Sequence, residues 1–161
     1  MLSETTYDLL AAHPFLRGLS PHQVDKLSIW GHTTHFHSGT RILAEGGRAD
    51  RFWLIDDGEV TLSASIPGRG EVELEILGPG AVLGWSWLFP PYKWQYSATA
   101  RGAVHAVVLD GPGVRELCEN DRSLGYIVMN RFLGVVVDRL QRTRLQLATT
   151  GRPEPNERST P

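Results

Sequence analysis

Between Gly84 and Thr99 the chain crowds Trp85, Trp87, Tyr92, Trp94 and Tyr96 into one short segment, with Ser86, Lys93, Gln95 and Ser97 among them. Aromatic faces at this density either pack a core or stack on a planar ligand. Elsewhere the chemistry-bearing residues are sparse. His35 and His37 lie two apart, on one face of an expected strand, with His32 nearby. That spacing is compatible with Zn²⁺, but no carboxylate or cysteine stands in local register, so surface histidines are the better reading. His105 is expected to be a strand residue of no special role. Asp56-Asp57-Gly58-Glu59 has the ligand types of a calcium loop without its count or spacing, and reads as a hairpin turn. Asp110 and Asp138 have no nucleophile or base motif beside them. Nothing resembles a catalytic triad, a Walker loop or a metallohydrolase pair. The expectation is a protein that is not an enzyme, with no catalytic or metal-binding residues.

Three zones must position these groups. Residues from about Ser3 to Gly31 read as helical. Leu9, Leu10 and Ala12 begin an apolar face, Pro14 breaks it, and Ser20-Pro21 with Gln23 opens a second helix through a capping box. Val24, Leu27 and Trp30 mark its packed side. From about Thr33 to Leu109, short apolar runs alternate with turn signals at Ser38-Gly39, Gly46-Gly47, Asp56-Asp57-Gly58, Pro67–Gly70 and Gly78-Pro79-Gly80. Turns this close predict antiparallel strands in a sandwich or barrel. Glu71 to Leu77 alternates, with Val72, Leu74 and Ile76 expected on one face and Glu71, Glu73 and Glu75 on a wet one. Asp110 then caps a short helix through Cys118, and Asp121 caps a long one over 121–148. Residues 149–161, with three prolines, are expected to be a disordered tail.

Composition narrows the class. The chain has 161 residues, 41% hydrophobic and 21% charged, with a net charge of −2. That supports one soluble domain with a real core, and no global field drawing it to nucleic acid or anionic membrane. Cys118 is the single cysteine, which excludes an internal disulfide and fits a reducing compartment. The N-terminus carries no signal-peptide pattern and no apolar run spans a membrane. The expected location is cytoplasmic.

The glycines carry the family signal. Phe36-His37-Ser38-Gly39 precedes Ile42-Leu43-Ala44-Glu45-Gly46, then Phe52–Val60 with Asp57-Gly58, then Leu77-Gly78-Pro79-Gly80-Ala81-Val82-Leu83-Gly84. In this order the motifs closely resemble the cyclic nucleotide-binding domain family, the sensor half of catabolite-activator-like regulators and of kinase regulatory subunits. The resemblance covers roughly Leu9 to Leu145. It implies a mainly β fold with flanking α: an eight-stranded jelly-roll β-roll over 33–109, in a single domain of residues 3–148 whose C-terminal helix moves when ligand binds. It also implies a phosphate-binding cassette at Gly84–Thr99, where helix N–H groups face the cyclic phosphate, a glutamate takes the ribose hydroxyl and an arginine forks onto the phosphate.

The cassette departs from that pattern. Trp85 stands where the glutamate belongs, and the arginine position falls at Tyr96 or Gln95. Lys93 supplies a point charge but not a fork. Each lost charge-assisted hydrogen bond typically costs about 1.5–3 kcal/mol, so cyclic nucleotide binding through the family's usual contacts is expected to be weak or absent. Candidate ligand-binding residues are therefore Gly84, Trp85, Ser86, Trp87, Lys93, Gln95, Tyr96 and Ser97. Three functions stay open: a small-ligand-sensing regulatory module that moves its C-terminal helix against a protein partner, a scaffold that no longer binds nucleotide, or a sensor of another planar or anionic metabolite. No cofactor is expected beyond such a ligand.

The long helix carries more apolar surface than one stripe needs. Leu124, Ile127, Val128, Phe132, Val135, Val136 and Leu140 are joined by Leu133 and Val137. A helix resting on its own domain needs roughly a 100° apolar face, so a homodimer along this helix is expected. Gly125 and Gly134 are expected to admit close neighbours. Arg131, Arg139, Arg142 and Arg144 are expected to form a solvated basic side. The dozen Pro-rich residues that follow are too few for a helix-turn-helix, so no direct DNA reading is expected.

Overall fold

In the computed structural model, which describes residues 3–150, two capping boxes start the N-terminal helices. Thr5 and Asp8 close one over Thr6–Ala12 (α1), and Ser20 and Gln23 close the other over Pro21–Ser28 (α2). Pro14 opens a single 3-10 turn, Pro14–Leu16, between them. Val24 and Leu27 are buried as expected, whereas Trp30 lies past the helix end, laid over Gly113.

Eight strands follow: Gly31–Phe36 (β1), Arg41–Leu43 (β2), Arg51–Asp57 (β3), Val60–Ile66 (β4), Gly70–Leu77 (β5), Val82–Leu83 (β6), Ser97–Ala100 (β7) and Val104–Asp110 (β8). They pair antiparallel in two four-stranded sheets, ordered β1-β8-β3-β6 and β2-β7-β4-β5. The fold is thus mainly β, with the expected helices flanking it. Gly39, Gly46, Gly58, Gly68 and Gly80 all take positive φ at the turns. Gly58 shows why: a Cβ there would lie 2.2 Å from the Ala103 carbonyl oxygen.

One expectation about β5 fails. Leu62 pairs with Glu75 while the next residue, Ser63, pairs with Glu73, so Leu74 is an extra residue in a β-bulge. A single inserted residue reverses the inside–outside parity beyond it. Glu75 therefore shares the inner side with Leu62 and Leu77, and Ile76 turns out, 42% exposed.

Gly111–Asn120 (α3) is capped by Asp110, whose carboxylate accepts from the Gly113 N–H at 2.8 Å. Arg122–Thr150 (α4) is capped by Asp121 through the Leu124 N–H at 3.1 Å. This helix continues two residues past the expected end at 148; the rest of the expected tail lies outside the described residues. Gly125 does admit a neighbour, since a Cβ would sit 2.6 Å from the Cys118 carbonyl oxygen, whereas Gly134 has nothing within 4 Å. Burial pushes the half-buried Cys118 thiol up to about 11. Phe132 pins α4 to the roll, edge-on to Phe15, Phe52 and Trp87 at 4.8, 5.2 and 5.3 Å. Among the described residues no helix is long and apolar enough to cross a membrane.

Candidate functional site

The cassette divides its aromatic residues between two jobs. Trp87, on a 3-10 turn at Ser86–Leu88, is fully buried and stacks on Phe52 at 4.8 Å. Trp94 is also buried, tilted against Trp53 at 5.9 Å. These two are core. Trp85 and Tyr96, with ring centroids 6.4 Å apart, instead line a cavity of about 400 Å³. Leu62 of β4 and Leu74 of β5 close its sheet side, and Val136, Arg139 and Leu140 of α4 close the other. The volume lies at the lower end of the range for small-molecule sites, and most of the wall is apolar.

Gly84 shapes the entrance to the cassette. Its φ of +94° lies in the left-handed region, and a Cβ would meet the Trp94 ring at 2.9 Å. Its N–H faces the Tyr96 hydroxyl. The same oxygen accepts from Arg139 Nη1 at 2.7 Å, while Arg139 Nη2 donates to the Val82 carbonyl at 3.0 Å. Burial, above all, pushes the Tyr96 phenol up, against the opposing pull of Arg139, so it stays neutral at physiological pH.

The remaining expected ligand residues scatter. Ser97 is buried with its hydroxyl accepting from the Glu45 N–H at 3.0 Å. Lys93 is exposed and bridges Arg48 through the backbone; Gln95 is exposed and donates to the Lys93 carbonyl at 3.1 Å. Neither lines the cavity, because alternate residues of this extended segment point outward while Trp94 and Tyr96 point in. Ser86 Oγ, Trp85 Nε1 and Trp87 Nε1 are buried without a partner among the described residues. Buried polar atoms nearly always find partners, so the cassette is where this fold departs from ordinary polar satisfaction.

Two residues of the site were not legible as such. Arg139 does not belong to a solvated face: its side chain is 15% exposed and spans cassette and helix. Arg131 likewise turns inward to the carbonyls of Phe15 and Arg17, and Arg142 contacts Glu75 and pairs with Asp138 at 3.0 Å. The signal was the spacing Phe132, Val135, Arg139, Arg142, which continues the core stripe in steps of three and four. Glu75 arrives through the bulge in β5, and its carboxylate stands 3.9 Å from Arg139 Nε. The cluster of Glu75, Arg139 and Arg142 separates the cavity from a second, more polar groove of about 490 Å³ beside Pro14 and Gly78-Pro79-Gly80. On the roll's far side His105 meets Asp56 at 2.8 Å and stacks on His35.

The sequence model described as cyclic nucleotide-binding domain matches residues 33–121. A CRP-like cAMP-activated global transcriptional regulator of Mycobacterium tuberculosis is 28% identical over 141 residues, covering 88% of this chain and 61% of the relative. The chain thus spans 61% of the length of the curated relatives it matches. A crystal structure from Geobacter metallireducens, described as a cyclic nucleotide-binding protein, is 30% identical and superposes with a TM-score of 0.74 over 87% of this chain and 99% of that one. A cyclic nucleotide-binding domain from Methylobacillus flagellatus superposes at 0.78, covering 92% and 84%, at 21% identity, a likeness of fold.

Proposed function

The chain belongs to the cyclic nucleotide-binding domain family, and from that premise we propose that it is a small-ligand-sensing regulatory module with a divergent cassette. Its ligand sits between the cassette and α4, and the helix passes the signal to a protein partner. The observation that carries this reading is the shared wall: Trp85 and Tyr96 face Val136, Arg139 and Leu140 across one cavity. An occupant must touch both, so its binding energy differs between a docked and a displaced helix. The Arg139–Tyr96 hydrogen bond holds the docked state. No catalytic step is assigned to the module, and a cytoplasmic setting fits it.

The module pairs with a second copy along the outer face of α4. Tyr126, Met129, Leu133 and Val137 are all exposed, Leu133 by 60%. At about 100° per residue they fall within an arc of roughly 80°, opposite Leu124, Val128 and Phe132. A continuous apolar stripe spaced by threes and fours is the seam of a two-helix contact, and a two-fold pairing is the commonest closed symmetry.

Calorimetric titration with cAMP, cGMP and the uncharged aromatic N-phenyl-1-naphthylamine, read together with hydrogen exchange along α4, tests the reading. A bound ligand should change exchange beyond Phe132. A ligand that binds without altering α4 overturns the helix relay, and a chain that binds no small molecule is a scaffold instead.

A further inference from the structure

We infer that the cavity takes an uncharged, planar, largely apolar molecule and not a cyclic phosphodiester; this rests on the proposed ligand-sensing role of the same site. The charge pattern is the first argument. Arg139 and Arg142 are the cavity's cations, and both face the Glu75 carboxylate, with Arg142 also paired to Asp138 at 3.0 Å. Within the lining both guanidiniums are engaged by Glu75, and Asp138 just outside it takes up Arg142 as well, so neither is left without a carboxylate partner. A phosphate entering here would have to break those pairs or stand unpaired, and a desolvated charge without a partner is strongly disfavoured.

Arg139 is further committed by its donations to the Tyr96 hydroxyl and the Val82 carbonyl. The Gly84 N–H, which opens the cassette, faces that same hydroxyl. The phenol oxygen therefore occupies the point where the cassette's backbone donor and the nearest guanidinium converge. Lys93, the cassette's own cation, is exposed and outside the cavity.

The second argument is shape. Trp85 and Tyr96 are inclined at 56°, presenting two ring faces. Leu62, Leu74, Val136 and Leu140 complete an apolar slot. Flat rings fill such a slot by stacking and apolar burial, with no charge to desolvate.

The test uses the full chain and N-phenyl-1-naphthylamine, an uncharged fluorescent molecule of planar ring systems. We expect saturable binding that a large excess of cAMP leaves in place. Val136→Trp, which fills the slot, should weaken it at least about tenfold. Leu140→Glu, on the exposed rim and so compatible with folding, should weaken it too, while Leu133→Asp on the outer stripe should not. Displacement by micromolar cAMP, equal binding by Leu140→Glu, or no saturable binding overturns the inference. Cyclic nucleotide binding that shifts α4 exchange would keep the sensing role and overturn the ligand class. Probe binding with unchanged α4 exchange would support the ligand class and remove the relay.

Discussion

Arg139 of α4 and Tyr96 of the cassette meet at 2.7 Å, the guanidinium donating to the phenol oxygen beside a cavity that both elements line. Because residues in direct contact couple energetically, this bond ties the position of the helix to the state of the cassette.

Arg139→Ala should therefore loosen the C-terminal half of α4. Losing a hydrogen bond to a charged donor typically costs about 1.5–3 kcal/mol, so the urea midpoint should fall and amides beyond Val136 should exchange faster. Arg139→Lys keeps the charge near Glu75 but not the planar fork, and should lie between. Wild-type stability and exchange in Arg139→Ala would remove the tether.

Gly84→Ala should cost more than Gly39→Ala. Both glycines have positive φ, at +94° and +85°, but only Gly84 has a ring 2.9 Å from where the new carbon would go. The conformational cost alone is about 1–2 kcal/mol; the contact with Trp94 adds to it at Gly84. Equal melting temperatures for the two variants would remove the close-approach role.

Acid should weaken the fold through His13. His13 is buried, with Nε2 at 3.0 Å from the Ile55 carbonyl and Nδ1 accepting from the Phe15 N–H at 3.2 Å, a pattern only the neutral ring satisfies. Burial lowers its affinity for a proton, with Ile55 and Asp56 opposing. The unfolded chain then takes up the proton first as pH falls through about 6.5. Its contribution is complete above that pH and is lost as pH falls toward the lower folded value. Urea unfolding at pH 7.5 and 5.5 should show a drop that His13→Gln reduces; an undiminished drop would point to the other histidines.

Light scattering at micromolar concentration should return twice the chain mass. Leu133→Asp should halve it without unfolding, since the residue is 60% exposed and makes no part of the core. A monomeric wild type would show that the outer stripe of α4 serves another surface.

Local chemistry wrote much of this fold legibly. The capping box at Ser20, the turn glycines and the Asp110 and Asp121 caps act within three or four residues, so order and spacing along the chain predict antiparallel strands and their flanking helices, and the family resemblance implies the roll. The cassette's place after the Gly78–Gly84 run is what that resemblance implies, since it follows sequence order. Which aromatic ring lines the cavity is not legible there. Trp87 and Trp85 are two residues apart, yet one is packed against Phe52 and Phe132 while the other lines the cavity. Only the docking of α4 separates them. Glu75 and Arg139 are 64 positions apart, and each was read as solvated because its own neighbours suggested a polar face. A one-residue bulge at Leu74 turned Glu75 inward, and the stripe through Phe132 carried Arg139 onto Tyr96. Side-chain identity set what each group can do; the long-range register of sheet and helix decided which groups meet.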